Sequence, residues 1–356
     1  MEDTEKGLKE ALSDYFAGHG QRLTMMTKLV LALLQMSTVN FAKLALVINA
    51  KVKTSSNFKR IQRFMKGYRF DQARFVRFAW NKYANRGSWV ALSIDRTNWK
   101  FGCININILT IGISWRGTAI PLVWKLLDKR GLSNTNERIE LLDELLRILA
   151  FEQRAKIRYV LMDREFGSRD WITALKERHL GFIIRIRVDA KVRKPGQERE
   201  KAAKTLFACT SFRCLRKQRI VFHHRLYMGG CKIGAKEYLI LVSDTPLKHE
   251  GRMYAERWGI EVFFGCCKRR GFNFEDTHLT KLERINTLIY LLGIAFIWAF
   301  KTGEIEVRES GRVPIKWVKE RRTKLFSIFR VGLDRLRQKI LNHLGLGVEI
   351  GFLSCT

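Results

Sequence analysis

Two short apolar runs, each closed by an aspartate, constrain this sequence most. Ser88-Trp-Val-Ala-Leu-Ser-Ile leads into Asp95, and Ile157-Arg-Tyr-Val-Leu-Met leads into Asp163. Runs of that length with so little polar alternation are buried on both faces, as central strands of an α/β sheet are. An acid at the end of such a strand is held out from a rigid frame, where chemistry gathers in open α/β sheets. An aspartate there can equally open a turn, so neither residue taken singly exceeds a structural reading. If the two strands are neighbours, their carboxylates converge. A divalent cation that prefers hard oxygens, Mg²⁺ or Mn²⁺, would then offset their repulsion.

The pattern on either side changes several times. Residues 1–80 read as helices: 23–36 and 41–48 are apolar at helical spacing, and Thr54-Ser-Ser-Asn offers a cap. The next stretch sets Phe58, Ile61, Phe64 and Met65 inward and leaves Lys59, Arg60, Arg63 and Lys66 outward. A basic amphipathic helix after two apolar ones is similar to a helix-turn-helix unit, although a solvated helix face has the same pattern. Further strands are predicted at 88–95, 103–114 and 118–124, then a helix at 135–149. A strand at 157–163, a helix at 168–178 and a strand at 181–188 follow. Three strands, then helix, strand, helix, strand, is the order of a ribonuclease-H-like core. Residues 191–245 interrupt it with basic residues and short β runs at 219–226 and 237–242. Helical patterning returns over 247–270 and 280–301, and a basic helical tail takes up 302–356. The expected fold is therefore α/β. A ribonuclease-H-like mixed-sheet core (88–190 and 246–301) carries an inserted β subdomain (191–245) and an N-terminal helical DNA-binding domain (1–80).

Charge names a partner. The chain has 66 Lys and Arg against 34 Asp and Glu, a formal +32 with a pI near 10.3. Such an excess repels itself unless a polyanion is a normal companion, and neutralised phosphates release counterions. Double-stranded DNA is the expected partner, with an anionic membrane surface as the lesser candidate. An architectural nucleic-acid protein would share the charge, so charge alone says nothing of catalysis. The longest apolar run, 285–300, is shorter than the ~20 residues of a span, and reads as a buried helix. No basic segment and apolar core mark a signal peptide at the N-terminus. Seven cysteines scattered without a framework suit reduced thiols, and the expected location is the cytoplasm. Cys209, Cys214 and Cys231 with His223 and His224 lack the Cys-x2-Cys pair that anchors a zinc site.

A third acid changes the weight of the first two. Tyr254, Arg257, Glu261 and Lys268 fall within one predicted helix. At about 100° per residue they share a stripe roughly 60° wide and 21 Å long. Met253, Ile260, Phe263 and Cys267 lie on an adjoining face that would dock the helix, and Glu256 points nearly opposite to Glu261. Mixed charges along a helix also describe a solvated face. Gly259 and Gly265 each cost about 1 kcal/mol against Ala in a helix. A local rule broken there fits close approach by backbone or ligand.

The spacing Tyr-x2-Arg-x3-Glu-x6-Lys resembles the signature of one branch of DDE transposases of bacterial insertion sequences, the insertion-sequence-4 family. Asp95-Arg-Thr-Asn-Trp and Asp163-Arg-Glu-Phe-Gly resemble that family's first two acid motifs. Asn57-Phe-Lys-Arg-Ile-Gln-Arg-Phe is similar to its N-terminal DNA-binding segment. Phe182-Ile-Ile-Arg-Ile-Arg and Tyr238-Leu-Ile-Leu-Val-Ser-Asp-Thr-Pro look like its later core strands. The likeness covers most of residues 20–300. It implies that Asp95, Asp163 and Glu261 are a catalytic triad holding Mg²⁺ or Mn²⁺. It also implies that Tyr254, Arg257 and Lys268 hold phosphates of the transposon end, and that a homodimer pairs two ends. Lys59, Arg60 and Arg63 would contact DNA from the N-terminal helix. Relatives stack a flipped base on a tryptophan of the β insertion; residues 190–245 contain none, leaving Phe207, Phe212, Phe222 or Tyr227 as candidates. Two other readings stay open: a ribonuclease-H-like nuclease without strand transfer, and a DNA-binding regulator without catalysis.

Overall fold

The sheet is organised by the two acid-bearing strands, which are neighbours. In the computed structural model, β1 (Val90–Phe101) turns into β2 (Ile104–Trp115) and β3 (Thr118–Leu127), and β4 (Ile157–Met162) and β5 (Phe182–Arg185) follow. Their order across the sheet is β3-β2-β1-β4-β5. β1 and β4 run parallel with Ile94 opposite Met162, and β4 and β5 run parallel with Met162 opposite Ile184. β2 and β3 are antiparallel. This is the mixed, ribonuclease-H-like sheet expected from the strand and helix order. β1 is buried from Val90 to Ile94 and alternates beyond, so it changes from a core strand to a half-exposed one at Asp95.

The structure describes residues 2–16, 20–84, 87, 89–235, 237–248, 250–311, 315–318, 321–324 and 326–354. Two compact units divide the chain. One comprises Tyr83–Asn98 and Asn107–Phe263, the other Met1–Lys82, Trp99–Ile106 and Phe264–Thr356.

In the sheet-bearing unit the crossover helix Thr135–Ile148 starts at a capping box, Asn134 with Glu137, and the helix Arg169–Glu177 starts on the Ser168 hydroxyl. Residues 191–245 extend the sheet. β6 (Lys191–Arg193), β7 (Lys201–Ala202), β8 (Arg213–Cys214), β9 (Arg219–Val221), β10 (His224–Lys232) and β11 (Tyr238–Ser243) bring it to 11 strands. β11 pairs antiparallel with β5, Val242 opposite Ile184, and β10 follows on β11. The run at 219–226, expected as one strand, is a hairpin. Phe222 and His223 both take left-handed φ (51° and 65°), which reverses the chain in a two-residue turn between β9 and β10.

The other unit is helical. Glu2–Ser13, Gly20–Met36, Phe41–Val47, Thr54–Gly67 and Gln72–Tyr83 open it. Thr54 is the first helical residue and not the cap: Lys53 precedes the helix with no side-chain hydrogen bond. The turn between the third and fourth helices is instead fixed by Asn57. This buried side chain donates from Nδ2 to Ala45 O (3.1 Å) and Asn49 O (2.8 Å). The apolar run expected at 285–300 belongs to a longer helix, Leu282–Ser310. Its length and hydropathy would suit a membrane span, but 94% of its most apolar window is buried inside the protein. The basic tail is only partly helical. β12 (Ile315–Val318) pairs with β13 (Arg321–Lys324) before the helix Ile328–Leu341, while 312–314, 319, 320 and 325 lie outside the described residues.

Leu282–Ser310 and Ile328–Leu341 cross at two glycines. A β-carbon on Gly332 would overlap the Ala299 carbonyl, and one on Gly303 would overlap that of Ile328. Backbone meets backbone there, and overpacking at such a crossing costs about 1–3 kcal/mol. Gly332→Ala is therefore expected to lower the melting temperature clearly, whereas Gly345→Ala, with open space around its α-carbon, should leave it nearly unchanged. Equal melting curves for wild type and Gly332→Ala would contradict this packing.

Candidate active site

Parallel register puts two acids side by side. Asp95 follows Ile94 on β1 and Asp163 follows Met162 at the end of β4, and Ile94 and Met162 are Cα partners. Side chains at equivalent positions of parallel neighbours share a face, so both carboxylates leave the sheet together. The Arg96 N–H donates to Asp95 Oδ1 at 2.8 Å. Arg96 Nε reaches across to Glu165, 3.2 and 3.1 Å from its two oxygens, and ties the ends of β1 and β4 together. Sequence reasoning passed over this pair. Opposite charges at close offsets after the two acids, Asp95-Arg and Asp163-Arg-Glu, were the available signal.

The third acid arrives on a broken helix. The continuous helix expected over 247–270 is a short helix, Glu250–Ala255, a 3₁₀ turn, Glu256–Trp258, and a second helix, Gly259–Cys267. Gly259 shows where the chain is squeezed, since a β-carbon there would overlap the Thr118 carbonyl and α-carbon of β3. Gly265 meets only the Arg270 side chain, at 3.3 Å. Glu256, the alternative acid, accepts a hydrogen bond from the Gly117 N–H at 3.3 Å, on the β2–β3 turn. Glu261 meets Arg257, and through it Asp95. Arg257 Nη2 donates to Glu261 Oε1 at 2.5 Å and Nη1 to Asp95 Oδ2 at 3.1 Å.

The break also changes where the stripe faces. Tyr254 is buried with Ala91, Tyr159, Leu161, Ile183, Leu241 and Leu247, and its hydroxyl is buried with no hydrogen-bond partner. The Arg257 side chain is 7% exposed, so the stripe expected from helical phase faces inward over its first half. Lys268 lies in the other unit, where its Nζ pairs with Glu275 at 3.1 Å and sits 4.9 Å over the Trp99 ring. Lys59, Arg60 and Arg63 are exposed on the helix Thr54–Gly67. Arg60 and Arg63 line an open depression with Lys9, Arg22 and Lys28, the last three unsuspected from sequence. Of the aromatic candidates, Phe207 is fully buried, Phe212 packs on Gly229 and Gly251, and Tyr227 is half-buried. Phe222 lies against Gly167, in the loop after Asp163.

Burial dominates the electrostatics. It pushes Asp95 from 3.8 up to about 7, aided by Glu165 and Glu261 and opposed by the Arg96 N–H and Arg257. Burial likewise raises Tyr254 far above the ordinary phenol. Burial pulls Arg257 down, but Tyr254, Glu261 and Asp95 outweigh it and hold the guanidinium above its usual value. Asp163 Oδ1 is buried and has no hydrogen-bond partner. Among the described residues no three His, Cys, Asp or Glu side chains stand together as a metal cage. The residues are nonetheless of the kind a hard divalent cation takes: Asp95 and Glu261 share the Arg257 guanidinium, and Asp163 keeps a buried oxygen without a hydrogen-bond partner.

Residues 129–298 match the family model described as "Transposase DDE domain". That segment, just under half of the chain, is similar to a transposase DDE domain. The match includes Asp163 and Glu261 and begins after Asp95. A comparison with curated proteins finds no match. Among solved structures, the piggyBac transposase synaptic complex with hairpin DNA is similar at 12% identity with a TM-score of 0.49. The alignment covers 95% of this chain and 77% of that chain. Likeness that loose bears on no residue's role.

The raised Asp95 carboxyl couples to stability. From about pH 4 to about pH 7 the folded protein keeps a proton there that the unfolded chain has released. Its contribution to stability therefore falls as pH rises across that window and is flat above it. In metal-free buffer, Asp95→Asn should melt above wild type at about pH 8, and the gap should close towards about pH 4. Melting curves of the two proteins with the same pH dependence would refute the shift.

Proposed function

We propose that this chain is a transposase of the insertion-sequence-4 type, which cleaves DNA at the ends of its element and joins them to a target. The parallel pairing of β1 with β4, which ends one residue before Asp95 and Asp163, with Glu261 one guanidinium from Asp95, supports this reading most directly. Asp95, Asp163 and Glu261 would hold Mg²⁺ or Mn²⁺. When bound, two such ions activate water or a 3′-hydroxyl and stabilise the leaving oxygen. The chain's own part is positional. The Arg96–Glu165 pair ties the ends of the two acid-bearing strands, and the buried Tyr254 ring seats the turn from which Arg257 projects, just before the helix that carries Glu261. Arg257 would meet a phosphate of the transposon end, with the buried Tyr254 acting from behind it, and Lys268 would meet phosphate from its own unit. The exposed Lys59, Arg60 and Arg63 would track the DNA backbone from the N-terminal helices. A homodimer would pair two ends, in the cytoplasm of a bacterial cell.

The test is a duplex carrying the terminal inverted repeats of the element, incubated with the protein and Mg²⁺. Cleavage at the repeat boundary followed by joining is expected. Cutting without joining would indicate a nuclease, and binding without cutting a regulator. Asp95→Ala, Asp163→Ala and Glu261→Ala should each abolish cleavage while end binding persists; full activity in any one removes that residue from the triad. Arg60→Ala and Arg63→Ala address the helical surface. Each should flatten the dependence of log affinity on log salt by about 0.9 for every phosphate it no longer neutralises. A slope unchanged in both variants would place the DNA elsewhere.

A further inference from the structure

Arg257 is a buried, permanently charged side chain set between two acids, beside a second arginine, Arg96, that is already paired with Glu165. Its guanidinium fork is divided between two of them: Nη1 donates to Asp95 Oδ2 at 3.1 Å and Nη2 to Glu261 Oε1 at 2.5 Å. Its flanks are aromatic, with the Tyr254 ring centre 5.9 Å away and that of Trp258 at 5.7 Å. The arrangement gathers repelling carboxylates with a charge that belongs to the chain. A divalent ion held by Asp95 and Glu261 would compete for the oxygens that Arg257 occupies, and the two cations would repel each other.

We propose that Arg257 is an internal counter-cation that takes the divalent-ion position between Asp95 and Glu261 while the protein is free of DNA. Ion binding and this double ion pair then exclude each other. The inference rests on the triad reading above and adds a gate to it. Arg257 stands on the 3₁₀ turn Glu256–Trp258, and Trp258 is 59% exposed, so the indole face marks a path from the acids towards solvent. A DNA phosphate at that outer position gives the guanidinium an alternative partner of the same charge as the one it leaves. DNA arrival and ion loading are coupled through one side chain. The protein alone keeps its acids assembled but weakly loaded, and so poorly able to hydrolyse stray strands.

The experiment titrates Mn²⁺ into the full-length protein without DNA and follows the loss of the free-ion signal by electron paramagnetic resonance. Arg257→Gln should bind Mn²⁺ about tenfold tighter than wild type, within the usual range of coupling between two sites. Its metal-free melting temperature should fall, and Mn²⁺ should raise it further than in wild type. Arg257→Lys retains the charge but loses the fork, and should fall between the two. It also serves if the glutamine variant does not fold. Affinity equal to or weaker than wild type in both variants overturns the proposal while leaving the triad intact. Asp163→Ala combined with Arg257→Gln separates the two readings. Loss of the tightened binding supports the proposal and places the ion at the triad. Unchanged binding overturns both.

Discussion

Like charges held side by side by a parallel strand pair are the constraint on which this structure turns. Hydrogen bonding between β1 and β4 ends at Ile94 and Met162, one residue before Asp95 and Asp163, so the two acids leave the sheet from neighbouring strands. Burial, with Glu165 and Glu261 nearby, raises the Asp95 carboxyl. The surroundings set positive charge against these acids. The Arg96–Glu165 pair neutralises itself across the strand ends, Arg257 is buried against two acids, and the helix bearing Glu261 is broken so that both its residues reach inward.

Much of this could be read from sequence because burial has a period. The runs before Asp95 and Asp163 are apolar on both faces, and only a central strand explains that. The strand and helix order that followed is the one observed. The phase of Glu261 was also legible, and it separated Glu261 from Glu256, which holds the β2–β3 turn. What a 3.6-residue period could not carry was its own interruption. The 3₁₀ turn at Glu256–Trp258 comes from tertiary packing, the pass of Gly259 over Thr118, and no local pattern records which distant backbone a glycine will meet. The same limit hid the inward turn of Tyr254. It also hid the convergence of Lys9, Arg22 and Lys28 with Arg60 and Arg63, which lie on three different helices. The Phe222–His223 reversal was illegible for another reason. Neither residue is a usual turn former and Phe222 has no preference for left-handed φ, so the turn is imposed by the pairing of β9 with β10.

The two crossing glycines of the helical unit follow the same principle in another form. Gly303 and Gly332 let two helices meet at their backbones, and the partner of each lies in a different helix. Their role is set by shape. Nothing in the charge pattern that dominates this composition would have singled them out.

The continuity of the sheet has a mechanical consequence. β11 is bonded to β5, and β5 to β4, so only one strand separates the inserted region from the strand that ends at Asp163. A ladder of that kind is stiff against shear along its hydrogen bonds and more compliant in twist. Load placed on β10 or β11 by a bound polymer would thus reach the second acid as a small rotation of its strand end. The inserted strands are continuous with the frame that carries Asp163, and they also touch its loop directly, where Phe222 lies against Gly167.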